Sequence, residues 1–426
     1  MNNQNKIYVN VAFPYPSGAG LHVGHSYNYA IIDSYCRWLT YHQNKEVFQP
    51  FGYDAHGLPT ELYAIKHNRE PRDVAYENIN KFRKQMQDMH TNYSEKLITS
   101  DESYQKWTQW LFLKLKEHNL CYKKKAIVCR CPSCETVISN EQVEDGKCER
   151  CSTPVEQKEM DQWYFKITDY KERLIKNLEY LDYPPKTKKM QINWLESITD
   201  WCVSRQRKWG CPIPIEGEVD SIDTFVDSSF YAIRYNDPEN INELCSKDKY
   251  KQVDLYVIGS EHCNRHLIYA RFIHMFLYDI GLVPVEEPFM KVIHQGHITK
   301  DGFKMSKSKG NTVTPDDYDS DEIRMYLCFI GHYFDGGDWS DKNIVGIKRF
   351  FNRIDKWLET PGNDDVSKEI NIMKLKIDRF VTDFKFNKVV STMMEFYNTN
   401  KNKNITTENA SEFKNVLSCF APKKYS

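Results

Sequence analysis

The pattern of apolar and polar positions at the start of the chain predicts a strand followed by a helix. Apolar side chains occupy every second position from Ile7 to Phe13, which is typical of a half-buried strand. Residues 14–20 contain two prolines and two glycines and should end this strand, and apolar residues at helical spacing then continue to about Leu39. A strand, a glycine-rich turn and a helix form the first half of a nucleotide-binding α/β unit, whose helix N-terminus can face a phosphate.

Further along the chain, hydrophobic spacing predicts more elements of the same mixed type. Residues 71–93 begin with Pro71 and place apolar side chains at helical intervals, and residues 104–118 form a second, aromatic-rich helical pattern. The rest of the predicted order is a strand at 253–257, a break at Gly259, a helix at 264–280, a loop at 296–315 and helices after about 343, with polar gaps at 361–367 and 400–409. Alternating strands and helices favour an α/β fold.

The composition is that of a globular protein of two or three domains. The chain has 426 residues, of which 27% are charged and 14% aromatic, so wholesale disorder is excluded. Lysine and arginine total 58 against 59 acidic residues, so a site for a polyanion must be a local patch. No apolar run approaches the roughly 20 residues that span a bilayer, and the N-terminus does not have the form of a signal peptide. We therefore expect a cytoplasmic protein without a membrane partner and with reduced thiols.

A cysteine-rich stretch between residues 121 and 160 interrupts this pattern and predicts a small inserted module. Cys131 and Cys134 form one CxxC pair, Cys148 and Cys151 form another, and 13 residues separate the two pairs. Two such pairs can place four thiolates tetrahedrally around Zn²⁺, and a closed set of four ligands indicates a structural metal. The alternative is four unligated structural cysteines. Cys129 is close enough to compete, but the CxC spacing is less usual and we leave it out of the predicted site.

Two short motifs carry candidate chemistry. The first, His22-Val23-Gly24-His25, lies at the predicted start of the helix after the first strand, where the glycine between the histidines leaves room for a nucleotide. The second, Lys304-Met305-Ser306-Lys307-Ser308, lies on a loop flanked by glycines. Each motif is weak by itself, since histidines at a helix start are often incidental and a lysine run is usually a solvated surface.

Together, in this order and separation, the two motifs resemble the HIGH and KMSKS signatures of class I aminoacyl-tRNA synthetases. Further segments resemble leucyl-tRNA synthetases of the bacterial type: FPYPSGAGLHVGH (13–25), GYDAHGLPTE (52–61), CPSC (131–134), DWCVSRQRKWGCPIPI (200–215), TFVDSSFY (224–231), GSEHCNRHLIYARF (259–272) and KMSKSKGN (304–311). The resemblance covers essentially the whole chain, from Val9 to about Pro422.

This resemblance implies an α/β fold with a Rossmann-type (HUP class) parallel-sheet catalytic core, a zinc-ribbon-bearing insertion and a C-terminal helical region. The expected segments are the first half of the core at 1–116, a connective insertion at 117–199 with its zinc module at 131–151, the second half of the core at 200–295, the KMSKS loop and stem-contact segment at 296–342, and a truncated helical, anticodon-binding-like region at 343–426.

The resemblance also implies the reaction, in which an amino-acid carboxylate attacks the α-phosphorus of ATP and pyrophosphate leaves. ATP with Mg²⁺ and a structural Zn²⁺ are the expected cofactors. The implied catalytic residues are His22, His25, Lys304 and Lys307, and the implied ATP-binding residues are Gly18, Gly24, Gly259, Glu261, Met305, Ser306 and Ser308. The implied amino-acid-binding residues are Phe13, Tyr15, Asp54, Phe225, Ser228, Tyr231, Tyr256, His262 and His266, with Asp54 as the partner of the α-ammonium group. From the residues alone, Asp54 could equally cap a helix, and the aromatic residues could be ordinary packing.

The chain departs from the family in three ways. The large editing domain that separates Trp194 from Trp201 in leucyl-type enzymes is absent, and the chain ends where the family continues with further helices. Polar or smaller residues also replace usual ones near the pocket: His56, Phe230, Cys263, Asn264, Arg265 and His297. These substitutions leave the identity of the amino acid open.

Three hypotheses follow from this comparison. The first is a leucyl-tRNA synthetase-like core that activates leucine or a similar amino acid and transfers it to a non-standard acceptor, such as a carrier protein or a small molecule, or to a tRNA acceptor stem. The second is a minimal leucyl-tRNA synthetase without editing, and the third is a non-catalytic binding protein derived from a synthetase. A partner chain could also supply the missing C-terminal region.

Overall fold

The structure is a computed structural model, and it describes residues 5–16, 20–138, 143–149, 151–305 and 310–426. The strands in chain order are β1 (Lys6–Val11), β2 (Glu46–Phe48), β3 (Pro50–Tyr53), β4 (Ser94–Ile98), β5 (Cys121–Cys131), β6 (Thr136–Ile138), β7 (Val143–Glu144), β8 (Lys147–Cys148), β9 (Glu156–Phe165), β10 (Trp201–Cys202), β11 (Ser204–Arg205), β12 (Ser221–Ile222), β13 (Val253–Val257), β14 (Phe289–Ile293), β15 (His297–Lys300), β16 (Phe303–Lys304) and β17 (Gly336–Trp339). The helices are α1 (Val23–Gln43), α2 (Leu58–Lys66), α3 (Pro71–Asp88), α4 (Glu102–Glu117), α5 (Lys171–Asn177), α6 (Pro185–Glu196), α7 (Thr224–Ser229), α8 (Tyr231–Arg234), α9 (His266–Asp279), α10 (Ser320–Phe329), α11 (Asp341–Leu358), α12 (Ser367–Thr382), α13 (Phe386–Asn400), α14 (Thr407–Ser418) and α15 (Pro422–Tyr425).

A parallel four-stranded sheet in the order β14-β13-β1-β2 organises the fold. Helix α1 follows β1 and leads towards β2, whereas α9 follows β13 and leads towards β14. The connections therefore leave the central pair in opposite directions, which opens a crevice at the carboxyl ends of β1 and β13. In open parallel sheets, ligands bind at this kind of crevice.

Side chains of the central strands alternate between two large hydrophobic clusters, one on each face of the sheet. Val9 and Val11 belong to the first cluster, while Tyr8 belongs to the second. Helix α9 belongs to the second cluster and is buried all round from His266 to Leu277. The first cluster extends from Val9 to Ala421, so the C-terminal helices share a core with α1.

The main helices and strands agree with the expectations from hydrophobic spacing. The strand predicted from residue 7 is β1, the helix predicted to Leu39 is α1, and the helices predicted at 71–93 and 104–118 are α3 and α4. The predicted polar gaps fall between α11 and α12 and between α13 and α14. The segment boundaries implied by the family resemblance stay predictions.

The structure contains one strand pair that the sequence did not indicate, and it corrects the expectation of a loop at 296–315. The stretch 121–160 holds the long antiparallel pair β5–β9, with Cys121 opposite Phe165 and Arg130 opposite Glu156. The sequence does not indicate this strand, because three consecutive exposed lysines, Lys123–Lys125, interrupt the alternation of apolar and polar residues. The loop expected at 296–315 contains β15 and β16, which pair antiparallel, and β15 also pairs parallel with β17.

Among the described residues, no helix is long and apolar enough to cross a membrane.

Candidate active site

The two histidines of the HxGH motif form the start of helix α1. His22 is the N-cap residue: its Nδ1 accepts a hydrogen bond from the Gly24 N–H at 3.0 Å, and the His25 Nδ1 accepts from the His22 N–H at 3.3 Å. Because both Nδ1 atoms accept, a neutral ring carries its proton on Nε2 in each case. The helix start therefore presents two Nε2–H donors from rings whose centroids are 4.0 Å apart.

Gly24 is required by the ring of His22. A Cβ atom at this position would lie 2.7 Å from the His22 Cε1 and 2.9 Å from its Nδ1. From the sequence, this glycine is expected to leave space for a nucleotide. The structure gives a second reason, since any larger residue would displace the histidine from its capping position.

The second strand of the crevice ends at the predicted adenosine-binding segment. Gly259 follows β13 and precedes a short 3-10 turn, Ser260–His262. A Cβ atom on Gly259 would lie 2.5 Å from the Glu261 carboxylate, so the exposed Glu261 side chain folds back over this glycine. Gly259 and Glu261 thus lie beside one another at the carboxyl end of β13.

The lysine-rich motif is described only in part. Lys304 ends β16, and Met305 is buried. The Lys304 side chain and the expected site residues Gly18, Ser306, Lys307 and Ser308 lie outside the described part of the chain. Downstream of the motif, the Val313 carbonyl accepts a hydrogen bond from the Val23 N–H at 3.0 Å. The segment after the KMSKS-like motif is therefore bonded directly to the HxGH helix.

Most of the expected amino-acid-binding residues surround one small cavity at the carboxyl ends of the strands. Its volume is about 30 Å³, and its lining is Ala12, Phe13, Tyr15, Asp54, Phe225, Ser228, Tyr256, Ile258, His262 and His266. Tyr231 does not line it but stacks on Phe13, with ring centroids 4.0 Å apart. Ala12 and Ile258 complete the lining and were not singled out from the sequence, because small or apolar residues after a strand carry no special signal.

Asp54 is a buried carboxylate at the end of β3. Its Oδ1 accepts hydrogen bonds from the Thr224 hydroxyl at 2.8 Å and the Thr99 hydroxyl at 3.5 Å. Burial, and then the nearby charge of Asp227, raises the pKa of Asp54 well above its usual range. The alternative that Asp54 caps a helix is wrong, because Gly57 is the N-cap residue of α2. Thr99 carries no signal in the sequence, because its hydroxyl reaches the site from the end of β4 and not from a recognised motif.

A chain of hydrogen bonds runs along one wall of the cavity through Tyr256, His266 and Ser228, and it begins at Tyr231 behind this wall. The Tyr231 hydroxyl donates to the Tyr256 hydroxyl at 2.9 Å, and Tyr256 bonds the His266 Nε2 at 2.7 Å. The His266 Nδ1 in turn lies 3.1 Å from the Ser228 hydroxyl. Burial lowers the pKa of His266 to about 3, so this ring is neutral at physiological pH. This wall is therefore polar but uncharged, and its polar groups satisfy one another.

A second buried carboxylate lies close to Asp54 but has a basic partner. The Asp227 Oδ2 lies 2.8 Å from the His56 Nδ1, and its Oδ1 accepts from the Thr108 hydroxyl at 2.7 Å. His56 was noted from the sequence only as a departure from the family. Its ring lies against the carboxylate whose charge contributes to the raised pKa of Asp54.

The four cysteines of the CxxC pairs come together at the far end of the β5–β9 pair. Their sulfur atoms all lie within 4.8 Å of one another, and the Cys151 Sγ lies 3.4 Å from that of Cys131 and 3.6 Å from that of Cys134. A tetrahedral Zn²⁺ with bonds of about 2.3 Å separates its sulfurs by about 3.8 Å. The four thiols therefore fit a zinc ion, and Cys129 lies outside this group.

Comparison with known proteins identifies similar tRNA synthetases by both the family model and individual relatives. A family model described as tRNA synthetases class I (I, L, M and V) matches residues 1–253 and 215–338. The leucine–tRNA ligase of Caldanaerobacter subterraneus subsp. tengcongensis is 30% identical over 99% of this chain and 85% of its own length. That of Clostridium kluyveri is 29% identical, with the same coverage of 99% and 85%. The first alignment spans 697 positions, 271 more than the 426 residues of this chain, so that relative has at least 271 positions without a counterpart here.

Solved structures share the fold. A LeuRS of Agrobacterium radiobacter, in a ternary complex with tRNA and LeuAMS, matches with a TM-score of 0.89 and 23% identity over 98% of this chain and 84% of that one. The methionyl-tRNA synthetase of Mycobacterium tuberculosis bound by methionyl-adenylate matches with a TM-score of 0.78 and 18% identity over 99% and 92% of the two chains. The Rossmann-type fold expected from the resemblance is therefore confirmed.

Proposed function

The chain belongs to the class I tRNA synthetase family, and we propose that it is a ligase that activates leucine with ATP and then transfers the leucyl group to tRNA. The observation that carries this proposal is the small cavity in which Asp54 is buried without a cationic partner among the described residues. The α-ammonium group of an amino acid would provide the missing cation and would place the attacking carboxylate in the crevice beside the HxGH helix.

The side chains have separate roles in the proposed activation step. A carboxylate oxygen of leucine forms a bond to the α-phosphorus of ATP, the bond from this phosphorus to the bridging oxygen breaks, and pyrophosphate leaves with that electron pair. The Nε2–H groups of His22 and His25 would donate to phosphate oxygens as their negative charge grows. Lys304 and Lys307 would neutralise the leaving pyrophosphate, and Gly259 with Glu261 would hold the adenosine. Mg²⁺ bound with ATP supplies further neutralisation of the phosphates.

The cavity wall supports leucine as the substrate. Phe13 and Phe225 provide apolar surface, whereas the hydrogen-bonded chain of Tyr256, His266 and Ser228 uses its polar atoms internally. Because the polar groups of this chain are already paired, a polar substrate side chain would gain little from them. Among the described lining residues, His262 differs, since its buried Nδ1 has no hydrogen-bond partner. The four-cysteine group would hold a structural Zn²⁺ through Cys131, Cys134, Cys148 and Cys151.

We propose tRNA as the acceptor because the relatives that cover the chain are named leucine–tRNA ligases. The non-standard acceptor expected from the sequence has no observation in its favour and remains an outcome of the test. A cytoplasmic location and a partner chain that completes the C-terminal region also stay predictions.

The test is ATP–pyrophosphate exchange with each of the proteinogenic amino acids, followed by aminoacylation of total tRNA with labelled leucine. We expect exchange that depends on leucine and a stable leucyl ester on tRNA. Absence of exchange with every amino acid would contradict the whole proposal. Exchange with leucine but no ester on tRNA would contradict tRNA as the acceptor and direct attention to other nucleophiles.

A further inference from the structure

We propose that Gln85 is a positioning residue that fixes two segments of the ATP site relative to each other. These segments are the peptide that leads into the HxGH motif and the turn that follows the KMSKS-like motif. This inference rests on the proposed function, because it assigns an ATP site to those segments. Gln85 lies on α3, outside both motifs, and is 2% exposed. Its amide group makes its hydrogen bonds with one residue just before the HxGH motif and one residue after the KMSKS-like motif.

On one side, Gln85 binds the peptide that leads into the HxGH motif. Its Oε1 accepts from the Leu21 N–H at 2.7 Å, and its Nε2 donates to the Leu21 carbonyl at 3.4 Å. One side chain thus contacts both polar groups of the residue that directly precedes His22. The direction of this peptide determines where the capping ring of His22 is placed.

On the other side, Gln85 binds the segment that follows the KMSKS-like motif. Its Nε2 lies 3.0 and 3.1 Å from the two carboxylate oxygens of Asp316. Asp316 belongs to a 3-10 turn, Pro315–Asp317, in the same segment whose Val313 carbonyl binds the start of α1. The segment is therefore held twice, once by main chain and once through Gln85.

The fit between Gln85 and the turn is close. Gly20 has a φ of +99°, and a Cβ atom there would lie 2.6 Å from the Gln85 Oε1 and 2.9 Å from the Lys81 Cε. The turn before the motif therefore lies directly on the surface of α3, and only glycine allows this approach. Displacement of the Gln85 amide would release the turn from that surface.

The chemistry requires an amide at position 85. The Leu21 N–H needs an acceptor, and the Asp316 carboxylate needs a donor. A glutamate would keep the acceptor but would place a second carboxylate against Asp316. A methionine would fill a similar volume but would make neither hydrogen bond.

The expected effect is on ATP and not on leucine. The leucine cavity contains none of the residues that Gln85 contacts. Loss of the link should displace the Nε2–H donors of His22 and His25, and misplacement of this kind costs on the order of 10²-fold in rate. We expect Gln85→Met to lower kcat/KM for ATP by about 10- to 100-fold, with KM for leucine changed by less than about twofold.

The experiment measures pyrophosphate exchange at varied ATP and varied leucine for Q85M, Q85E, D316N and the double variant Q85E/D316N. Q85E should be impaired like Q85M or more. The double variant should recover much of the activity, because the new amide at position 316 can donate to the new carboxylate at position 85, which still accepts from the Leu21 N–H. Gln87 on the same helix is exposed, and Q87M is the matched control. Recovery in the double variant distinguishes positioning from a general loss of folding.

A second measurement decides the inference independently of catalysis. Amide hydrogen exchange of the free protein should become faster in Q85M at both 20–25 and 311–316, and the thermal midpoint should change little. Unchanged exchange at both segments, or faster exchange at only one of them, would overturn the coupling. A wild-type protein without pyrophosphate exchange would instead overturn the proposed function, and the amide-exchange comparison would still test the role of Gln85.

Discussion

Asp54 and Asp227 are two buried carboxylates that differ in their side-chain partners. Asp227 is paired with His56 and with the Thr108 hydroxyl, whereas the side-chain partners of Asp54 in the described structure are hydroxyl groups. Burial of a charge without an opposite charge is costly, and this cost raises the pKa of Asp54. A residue that destabilises the free protein in this way is understandable if its partner is the substrate.

We predict that Asp54→Asn stabilises the free protein and lowers its activity with leucine. Because the folded-state pKa of Asp54 is raised, the folded protein binds this proton more tightly than the unfolded chain does. The contribution of Asp54 to stability therefore falls as pH rises above the unfolded pKa of about 3.9. The advantage of D54N in thermal unfolding should grow from about pH 4 upwards, while kcat/KM for leucine falls at least about 30-fold, corresponding to about 2 kcal/mol for a lost charge pair.

Thermal unfolding and pyrophosphate exchange at several pH values check this prediction. The exposed Asp248→Asn is the matched control and should change neither quantity. A D54N protein that is less stable than the wild type at neutral pH would show that Asp54 has a compensating partner in the free protein. Unchanged leucine kinetics would remove Asp54 from the amino-acid site.

At the scale of elements, the four-cysteine group is connected to two segments beside the candidate site. Leu58, the first residue of α2, belongs to the same small hydrophobic cluster as Cys131, Cys134 and Cys148. Glu149, next to Cys148, pairs with Arg265 at 3.2 Å, immediately before His266. A metal that fixes the cysteines would therefore also fix the segments that follow Asp54 and precede His266.

We predict that Cys148→Ser removes bound zinc and loosens α2. The wild-type protein should contain about one zinc per chain, and the variant close to none, because a structural site of this type needs four ligands. Amide exchange in α2 should become faster, since Leu58 loses its packing. Cys129→Ser is the matched control and should keep the metal. Retention of zinc by C148S, or a wild-type protein that binds none, would show that the group has another role.

Predictability from sequence also differs between elements. Helix α4 and strand β13 could be identified because their buried residues recur at the period of a helix or a strand. Strand β5 could not, because Lys123–Lys125 are exposed and conceal its alternation. The site residues within motifs could be named from the family resemblance. Gln85 could not, since a glutamine in a helical pattern acquires meaning only when Leu21 and Asp316 are seen beside it.

At the scale of the whole molecule, the candidate active-site crevice and the C-terminal helices share one hydrophobic core. Arg324 on α10 is fully buried and bonds Asp33 of α1 at 2.8 Å. The same guanidinium group donates to the main-chain carbonyls of Met89 and Phe420. It therefore joins α1, the end of α3 and the C-terminal region, so a disturbance of the helical region is expected to reach the helix that carries His25 and is capped by His22.

The connection between α6 and β10 leads to a prediction about accuracy. Residues 197–200 alone join these elements, and the adjacent Trp201 stacks on Tyr269, with ring centroids 3.9 Å apart. The structure thus has no inserted domain between α6 and β10, the place at which the resemblance to leucyl-type enzymes implies an editing domain. If selection rests on the cavity alone, discrimination is limited, because a pocket distinguishes substrates that differ by one methylene by about 1–3 kcal/mol, roughly 10- to 200-fold.

We therefore expect the exchange reaction to prefer leucine over valine by roughly 10- to 200-fold and valyl-tRNA made by the enzyme to persist. The first quantity is the ratio of kcat/KM values in pyrophosphate exchange. The second is the rate at which isolated valyl-tRNA is hydrolysed with and without the protein, with mild alkali as the positive control. Equal rates with and without the protein would agree with selection by the cavity alone. Faster hydrolysis in its presence would mean that a second site rejects valine. A preference above about 10⁴ in pyrophosphate exchange would mean that the cavity selects by more than the fit of one methylene, because a single apolar pocket does not reach this ratio.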